Sequence, residues 1–179
     1  MSKLNRPILE SYWVEPGRFL AGEYPGRFYS EQLRQRLDAF LDFGIDTFID
    51  LTDHHELPPY LSMLAEQARY YDIDIHHRRI PITDFGIPTP ETMKAILDEI
   101  DSALAAGRKI YLHCHGGIGR TGTVVGCYLV RHGRTGREAL GQMAAWWQGV
   151  PKSRFWSRTP ETDQQVEFIR NWGEAHSKT

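Results

Sequence analysis

The residues best equipped for chemistry lie in one run, His113-Cys114-His115-Gly116-Gly117-Ile118-Gly119-Arg120-Thr121-Gly122. Cys114 is followed by five residues, three of them glycine, and then by Arg120. Glycine adopts φ values that other residues resist, so such a loop can turn successive backbone N–H groups toward one point. A helix that starts after the loop adds its positive N-terminal end. Arg120 offers a planar, two-pronged donor to two oxygens of an oxyanion. In that positive field Cys114 is expected to ionise to a thiolate at neutral pH. The run therefore predicts a nucleophile on the floor of an anion-binding cup, with His115, Gly116, Gly117, Ile118, Gly119 and Arg120 as its wall.

Displacement of an alkoxide or phenoxide from a bound oxyanion ester also needs a proton for the departing oxygen. Asp84 is the candidate acid. It lies in Pro81-Ile82-Thr83-Asp84-Phe85-Gly86-Ile87-Pro88, a loop after a strand-like run, with Gly86 as a candidate hinge. Asp50 and Asp53 compete from another strand end; Asp50, inside an apolar run, is expected to make a structural hydrogen bond, and Asp53 to cap its loop.

The pattern Cys-x5-Arg-Thr behind His113 resembles the signature of the cysteine-dependent protein tyrosine and dual-specificity phosphatases. The form His-Cys-x-Gly-Gly-x-Gly-Arg is most similar to the branch that contains the cyclin-dependent-kinase-associated and Cdc14-like phosphatases. The resemblance covers most of the chain from Phe19 onward. It implies in-line attack by Cys114, a phosphocysteine, and its hydrolysis by water. It implies that Arg120 and the loop amides stabilise the phosphoryl oxygens, and that Asp84 is the acid. It further implies that the Thr121 hydroxyl bonds the sulfur and that His113 orders the loop from behind. The segment Thr159-Pro160-Glu161-Thr162-Asp163-Gln164-Gln165 resembles the family's glutamine-bearing loop. Glu161 stands where that loop carries its first, water-positioning glutamine, and Gln165 stands at the second. Glu161 is expected to act as a first-turn carboxylate of a helix.

These residues need a scaffold, and the sequence supplies one as alternating strands and helices. Strands are predicted at Arg18 to Gly22, Ile45 to Leu51, Asp72 to Ile80 and Lys109 to His113. Helices are predicted from Ser30 to Phe43, Pro58 to Tyr70, Pro90 to Ala106, Thr121 to Arg131, Gly136 to Gln148 and Pro160 to Gly173. Thr89 should cap the third, with Pro90 at its first position. The alternation predicts an α/β fold: a mostly parallel central sheet flanked by helices, with the phosphate-binding loop between a central strand and a helix, as in protein tyrosine phosphatases. Ligands of such sheets bind beyond the carboxyl ends of the strands. Cys114 falls just past one.

The 179 residues, 41% of them hydrophobic, are expected to make one domain, with residues 1–17 as an N-terminal extension. The net charge of −2 points to neither nucleic acid nor an anionic membrane. No run reaches the length of a membrane span, and no secretory leader is legible. Two cysteines do not form a disulfide framework, which suits a reducing cytoplasm. The histidines lack metal-ligand spacing, so neither metal nor other cofactor is expected. Cys127 and the pair Trp146-Trp147 are expected in the core. The clusters His76-His77-Arg78-Arg79 and Lys152 to Arg158 are expected to be mainly solvated faces.

The expected activity is hydrolysis of phosphomonoesters, with a phosphorylated protein or peptide as substrate: phosphotyrosine, and phosphoserine and phosphothreonine if the pocket is shallow. Phosphoinositides or inositol phosphates are the alternative substrates. A catalytically weak phosphate-binding module is the alternative from another class; nucleophile and acid together argue against it.

Overall fold

In the computed structural model of the chain, residues 5–26 and 30–174 are described. The elements run β1 (Ser11–Glu15), β2 (Phe19–Gly22), α1 (Ser30–Asp42), β3 (Thr47–Asp50), α2 (Leu61–Tyr70), β4 (His76–Arg79), α3 (Pro90–Ala105), β5 (Ile110–His113), α4 (Gly119–Arg131), α5 (Gly136–Trp147), a 3-10 turn at Pro151–Arg154, and α6 (Asp163–Arg170). One five-stranded sheet has the order β1-β2-β5-β3-β4. β2, β5, β3 and β4 are parallel, and β1 closes the β2 edge antiparallel. The fold is α/β, with a mostly parallel sheet between helices. β5, the strand that delivers Cys114, occupies the middle.

Side chains alternate across this sheet with the period of two that strands impose. Phe19, Ala21, Ile49, Ile110 and Leu112 enter one apolar layer with α3, α4, α5 and α6. Leu20, Phe48 and Tyr111 enter the other, with α1 and α2. Burial on both faces lets β5 read as an unbroken run, Ile110-Tyr111-Leu112-His113.

The sequence placed the elements well and their ends less well. Thr89 caps α3 as expected, accepting from the Thr92 amide at 3.2 Å, and Pro90 opens the helix. Residues 11–15, assigned to an extension, form β1 instead. Their Tyr12 and Val14 are buried in the first apolar layer. Ser30, expected as a cap, is the first residue of α1. α4 begins at Gly119 rather than Thr121. α6 begins at Asp163 rather than Pro160, because Thr162 and Gln165 form a capping box that fixes the start there. No helix among the described residues is long and apolar enough to cross a membrane.

α6 lies close on α4 because Gly126 has no side chain. A Cβ at Gly126 would stand 2.3 Å from Ile169 Cδ1 and 2.7 Å from its Cγ1. Ile169 is fully buried and branched at Cβ, so it cannot swing aside. Gly126→Ala would gain about 1 kcal/mol in helix propensity and lose about 1–3 kcal/mol to overpacking. A net loss is expected, read as a lower urea midpoint with an unchanged slope.

Candidate active site

The five residues after Cys114 are held in a cup by their own carbonyl groups. The His115 carbonyl accepts from the Tyr24 amide at 3.0 Å. The Gly116 carbonyl accepts from Lys152 Nζ at 3.0 Å, and the Ile118 carbonyl from Thr159 Oγ1 at 2.7 Å. In a trans peptide the next N–H points opposite to each carbonyl. The amides of Gly116, Gly117 and Gly119 therefore turn away from these three anchors. Gly117 has φ +73, and a Cβ there would lie 2.4 Å from the Gly22 backbone. Only glycine lets the loop pack on the end of β2.

A pocket of about 270 Å³ opens beside this loop. Cys114, 2% exposed, is part of its lining. Asp84, Arg120, Lys152 and Glu161 bring charged groups to it. Phe85 and Trp156, 60% and 45% exposed, form an aromatic rim.

Arg120, 1% exposed, is held by carboxylates. Its two terminal nitrogens donate to the two oxygens of Glu56 at 2.8 and 2.6 Å, and one lies 3.0 Å from Asp84 Oδ1. A further bond reaches the Ile82 carbonyl at 3.2 Å. Burial disfavours the guanidinium charge, but Glu56, Cys114 and Asp84 outweigh burial and raise its pKa. The Arg120 hydrogen bond in turn lowers the Glu56 pKa. Arg120 Nε is buried without a partner, a donor that suits an incoming oxyanion.

Asp84 sits on a tethered turn rather than a free hinge. Its Oδ1 accepts from the Phe85 amide at 3.1 Å. The Gly86 amide donates to the Thr83 carbonyl at 2.9 Å, and Ile82 bonds to Leu51 beyond β3. Phe85, not Gly86, takes the positive φ of +59. Gln165 Nε2 donates to the Gly86 carbonyl at 3.1 Å, while Gln165 Oε1 accepts from the amides of Glu161 and Thr162. Gln165 is thus a clamp between α6 and the loop of Asp84.

Behind Cys114, His113 is fully buried, and its Nε2 is hydrogen-bonded to the Tyr60 hydroxyl at 2.7 Å. Burial pushes its pKa down to about 4, against the raising influence of Asp50, so the ring is neutral at pH 7. Asp50 accepts from the Thr52 amide and hydroxyl and from Arg79. Burial would raise its carboxyl; His113, Thr52 and Arg79 prevail and lower it. The Thr121 hydroxyl departs from expectation: it is buried with no hydrogen-bond partner and does not bond the sulfur. α4 already starts at Gly119, so Thr121 lies within its first turn.

The residue that sequence analysis missed is Glu56. Its only signal was position, in the loop beyond β3, beside β5 and past the same edge of the sheet. Glu161 also differs from expectation. It precedes the Thr162 cap, so it is no first-turn carboxylate, and it lines the pocket. Glu56, Asp84 and His115 bring one possible metal-ligand atom each within 4.8 Å of one another. Both carboxylates there are already paired with the one guanidinium of Arg120. The cluster His76 to Arg79 forms β4 away from the pocket, whereas Lys152 of the second cluster reaches it.

The family described as "Polymorphic toxin system, DSP-PTPase phosphatase" matches residues 25–134. The chain belongs to this DSP-PTPase phosphatase family. It is 29% identical over 126 residues to the dual specificity protein phosphatase CDC14C of Homo sapiens; the match covers 68% of this chain and 26% of that protein. The chain thus spans about a quarter of that relative's length. Among solved structures, Tk-PTP in its active form is 27% identical, with a TM-score of 0.64 over 90% of this chain and 94% of that one. Kinase-associated phosphatase shares the fold at 20% identity and a TM-score of 0.66, covering 89% and 90%. In this DSP-PTPase chain, Cys114, Arg120 and the glycine loop all fall within the matched residues.

Stability in acid should report the buried ring. An unfolded His113, with an ordinary value of 6.5, takes up a proton between pH 6.5 and 4 that the folded chain refuses. Stability is therefore complete above this window and falls as pH drops through it, by about 3 kcal/mol at most from this residue. His77, also pushed down by burial, adds to the same slope. His113→Asn should flatten the slope in part, measured by urea unfolding at several pH values between 7 and 4.

Proposed function

We propose that this chain hydrolyses phosphomonoesters on phosphoproteins, with phosphotyrosine the preferred group and phosphoserine and phosphothreonine admitted at lower rates. The observation that carries this is the meeting of Cys114, Arg120 and Asp84 at one pocket. Cys114 Sγ attacks phosphorus as a thiolate, the ester P–O bond breaks, and Asp84 protonates the departing oxygen. Arg120, through Nε and a terminal nitrogen, binds two phosphoryl oxygens while the loop amides face the rest. Water then attacks the phosphocysteine and gives a proton to the Asp84 carboxylate, the P–S bond breaks with its electron pair on sulfur, and inorganic phosphate leaves.

Charge supports one phosphoryl group rather than several. Each pocket cation already has a carboxylate: Arg120 has Glu56 and Asp84, and Lys152 has Glu23. Glu161 adds further negative charge at the rim. A ring bearing many phosphates would meet little uncompensated positive potential there. Phe85 and Trp156 offer apolar faces to an aryl phosphate. Both cysteines are free, in keeping with work in a reducing compartment, the cytoplasm.

Cys114→Ser should abolish turnover yet retain binding of a phosphotyrosine peptide; retained turnover refutes the mechanism. Asp84→Asn should slow alkyl phosphates about 10²-fold or more, and aryl phosphates with good leaving groups less. Side-by-side turnover of a phosphotyrosine peptide and an inositol polyphosphate tests the substrate class, with the peptide expected to win.

A further inference from the structure

Two large aromatic side chains stand exposed side by side at the edge of the pocket. Phe155 is 83% exposed and Trp156 45%. Their rings meet edge to face, with centroids 6.2 Å apart. Trp156 lines the pocket, and Phe155 extends the apolar surface past the pocket's own lining. Single apolar side chains scattered over a surface need no explanation, whereas adjoining ones beside a cleft mark a contact surface. The main chain holds both rings in place. The amides of Phe155 and Trp156 both donate to the Lys152 carbonyl at 2.9 Å. The Trp156 carbonyl accepts from Nε1 of the buried Trp147 at 2.7 Å. Farther along, Thr159 Oγ1 donates to the Ile118 carbonyl of the phosphate loop at 2.7 Å. A segment fastened to α5 on one side and to the loop on the other is preformed, so a partner that binds it orders little.

Charge decides which partner suits this surface. Lys152 is paired with Glu23, and Arg158 with Asp163. Arg154, exposed and next to Phe155 in the chain, makes no hydrogen bond or ion pair among the described residues. Attachment to an anionic membrane draws on clusters of unpaired Lys and Arg. This segment leaves one such cation, and the carboxylates of Glu161 and Asp163 stand close to it in the chain. One free guanidinium beside two aromatic rings suits a polypeptide that brings an apolar side chain and a carboxylate.

We propose that Phe155 and Arg154 form a docking surface for the polypeptide that flanks the phosphorylated residue, with an apolar side chain packed on Phe155 and a carboxylate paired with Arg154. The proposal rests on the phosphoprotein reading of the adjoining pocket. In an extended chain, side chains two residues apart point to the same side about 6.5–7 Å from each other. The Trp156 and Phe155 rings are 6.2 Å apart, nearly the same step. With the phosphorylated residue in the pocket against Trp156, the side chain two positions away falls on Phe155. The surface takes no part in making or breaking bonds. It binds the ground state and the transition state alike, so its loss raises KM and leaves kcat unchanged.

The test measures kcat and KM of the full chain on para-nitrophenyl phosphate and on two peptides. One peptide carries phosphotyrosine with leucine two positions away on each side and glutamate beyond; the other has alanine at those positions. No turnover of any substrate by the natural chain, or turnover by Cys114→Ser, removes the hydrolase reading itself. Turnover of the aryl phosphate alone removes the phosphoprotein reading. With both intact, the natural chain should show a KM about tenfold lower for the leucine–glutamate peptide than for the alanine one. Phe155→Ala should raise the KM of the first peptide about tenfold and that of the second less than twofold. Its kcat, and its activity on the aryl phosphate, should stay unchanged. Arg154→Ala should raise the KM of the first peptide about two- to fivefold, an effect that added salt removes. Phe155 and the leucine lose one shared contact, so their losses should not add. Two peptides within twofold of each other on the natural chain overturn the proposal, as does an equal Phe155→Ala loss on both. A Phe155→Ala chain that leaves phosphatidylserine vesicles while keeping both peptide KM values also overturns it, and assigns the rings to a membrane.

Discussion

The phosphate cup depends on where three carbonyl groups go. Left to itself, a glycine-rich loop has many conformations, and its amides have no reason to converge. Here the carbonyls of His115, Gly116 and Ile118 are drawn outward by Tyr24, Lys152 and Thr159. These donors come from the turn after β2, the 3-10 turn and the segment before α6. The planar peptide then sends the amides of Gly116, Gly117 and Gly119 the other way. The loop is thus preorganised by parts of the chain on both sides of it in sequence, and the cost of ordering it is met on folding.

The same elements balance charge at the pocket. Lys152 bonds the loop and also pairs with Glu23, which Arg36 contacts as well. Arg120 is buried, and a lone buried guanidinium would be costly, so Glu56 and Asp84 accompany it. A bound phosphoryl group would therefore compete with carboxylates for this guanidinium.

Behind the cup, a buried polar layer holds the strand that leads to Cys114 in place. His113 bonds Tyr60, and Asp50 gathers Thr52 and Arg79 from neighbouring elements. These bonds offset the cost of burying polar groups, and they help fix the register between β5 and its neighbours as well as the ring's orientation. Gln165 plays the comparable part in front: its Nε2 joins α6 to the loop of Asp84, while its Oε1 holds the amides of Glu161 and Thr162 at the start of the helix.

What the sequence by itself determined was local: a cysteine, glycines and an arginine at fixed spacing after a buried strand, alternating periodicities for the α/β layers, and the Thr89 cap. Each of these acts within a few residues, so short-range patterns reveal them. β1 escaped because only pairing with β2 makes it a strand, and Glu56 because its meaning is its contact with an arginine far along the chain. Asp84 was legible as a carboxylate on a loop, but not the tether of that loop to Gln165. Glu161 was visible as a departure from a resembled motif, yet its place in the pocket came from the capping box of α6 and the close approach of α6 to α4. Spacing along the chain reports which groups share a turn. Which charges share a cavity is decided by packing between elements distant in sequence, and only the tertiary structure supplies that.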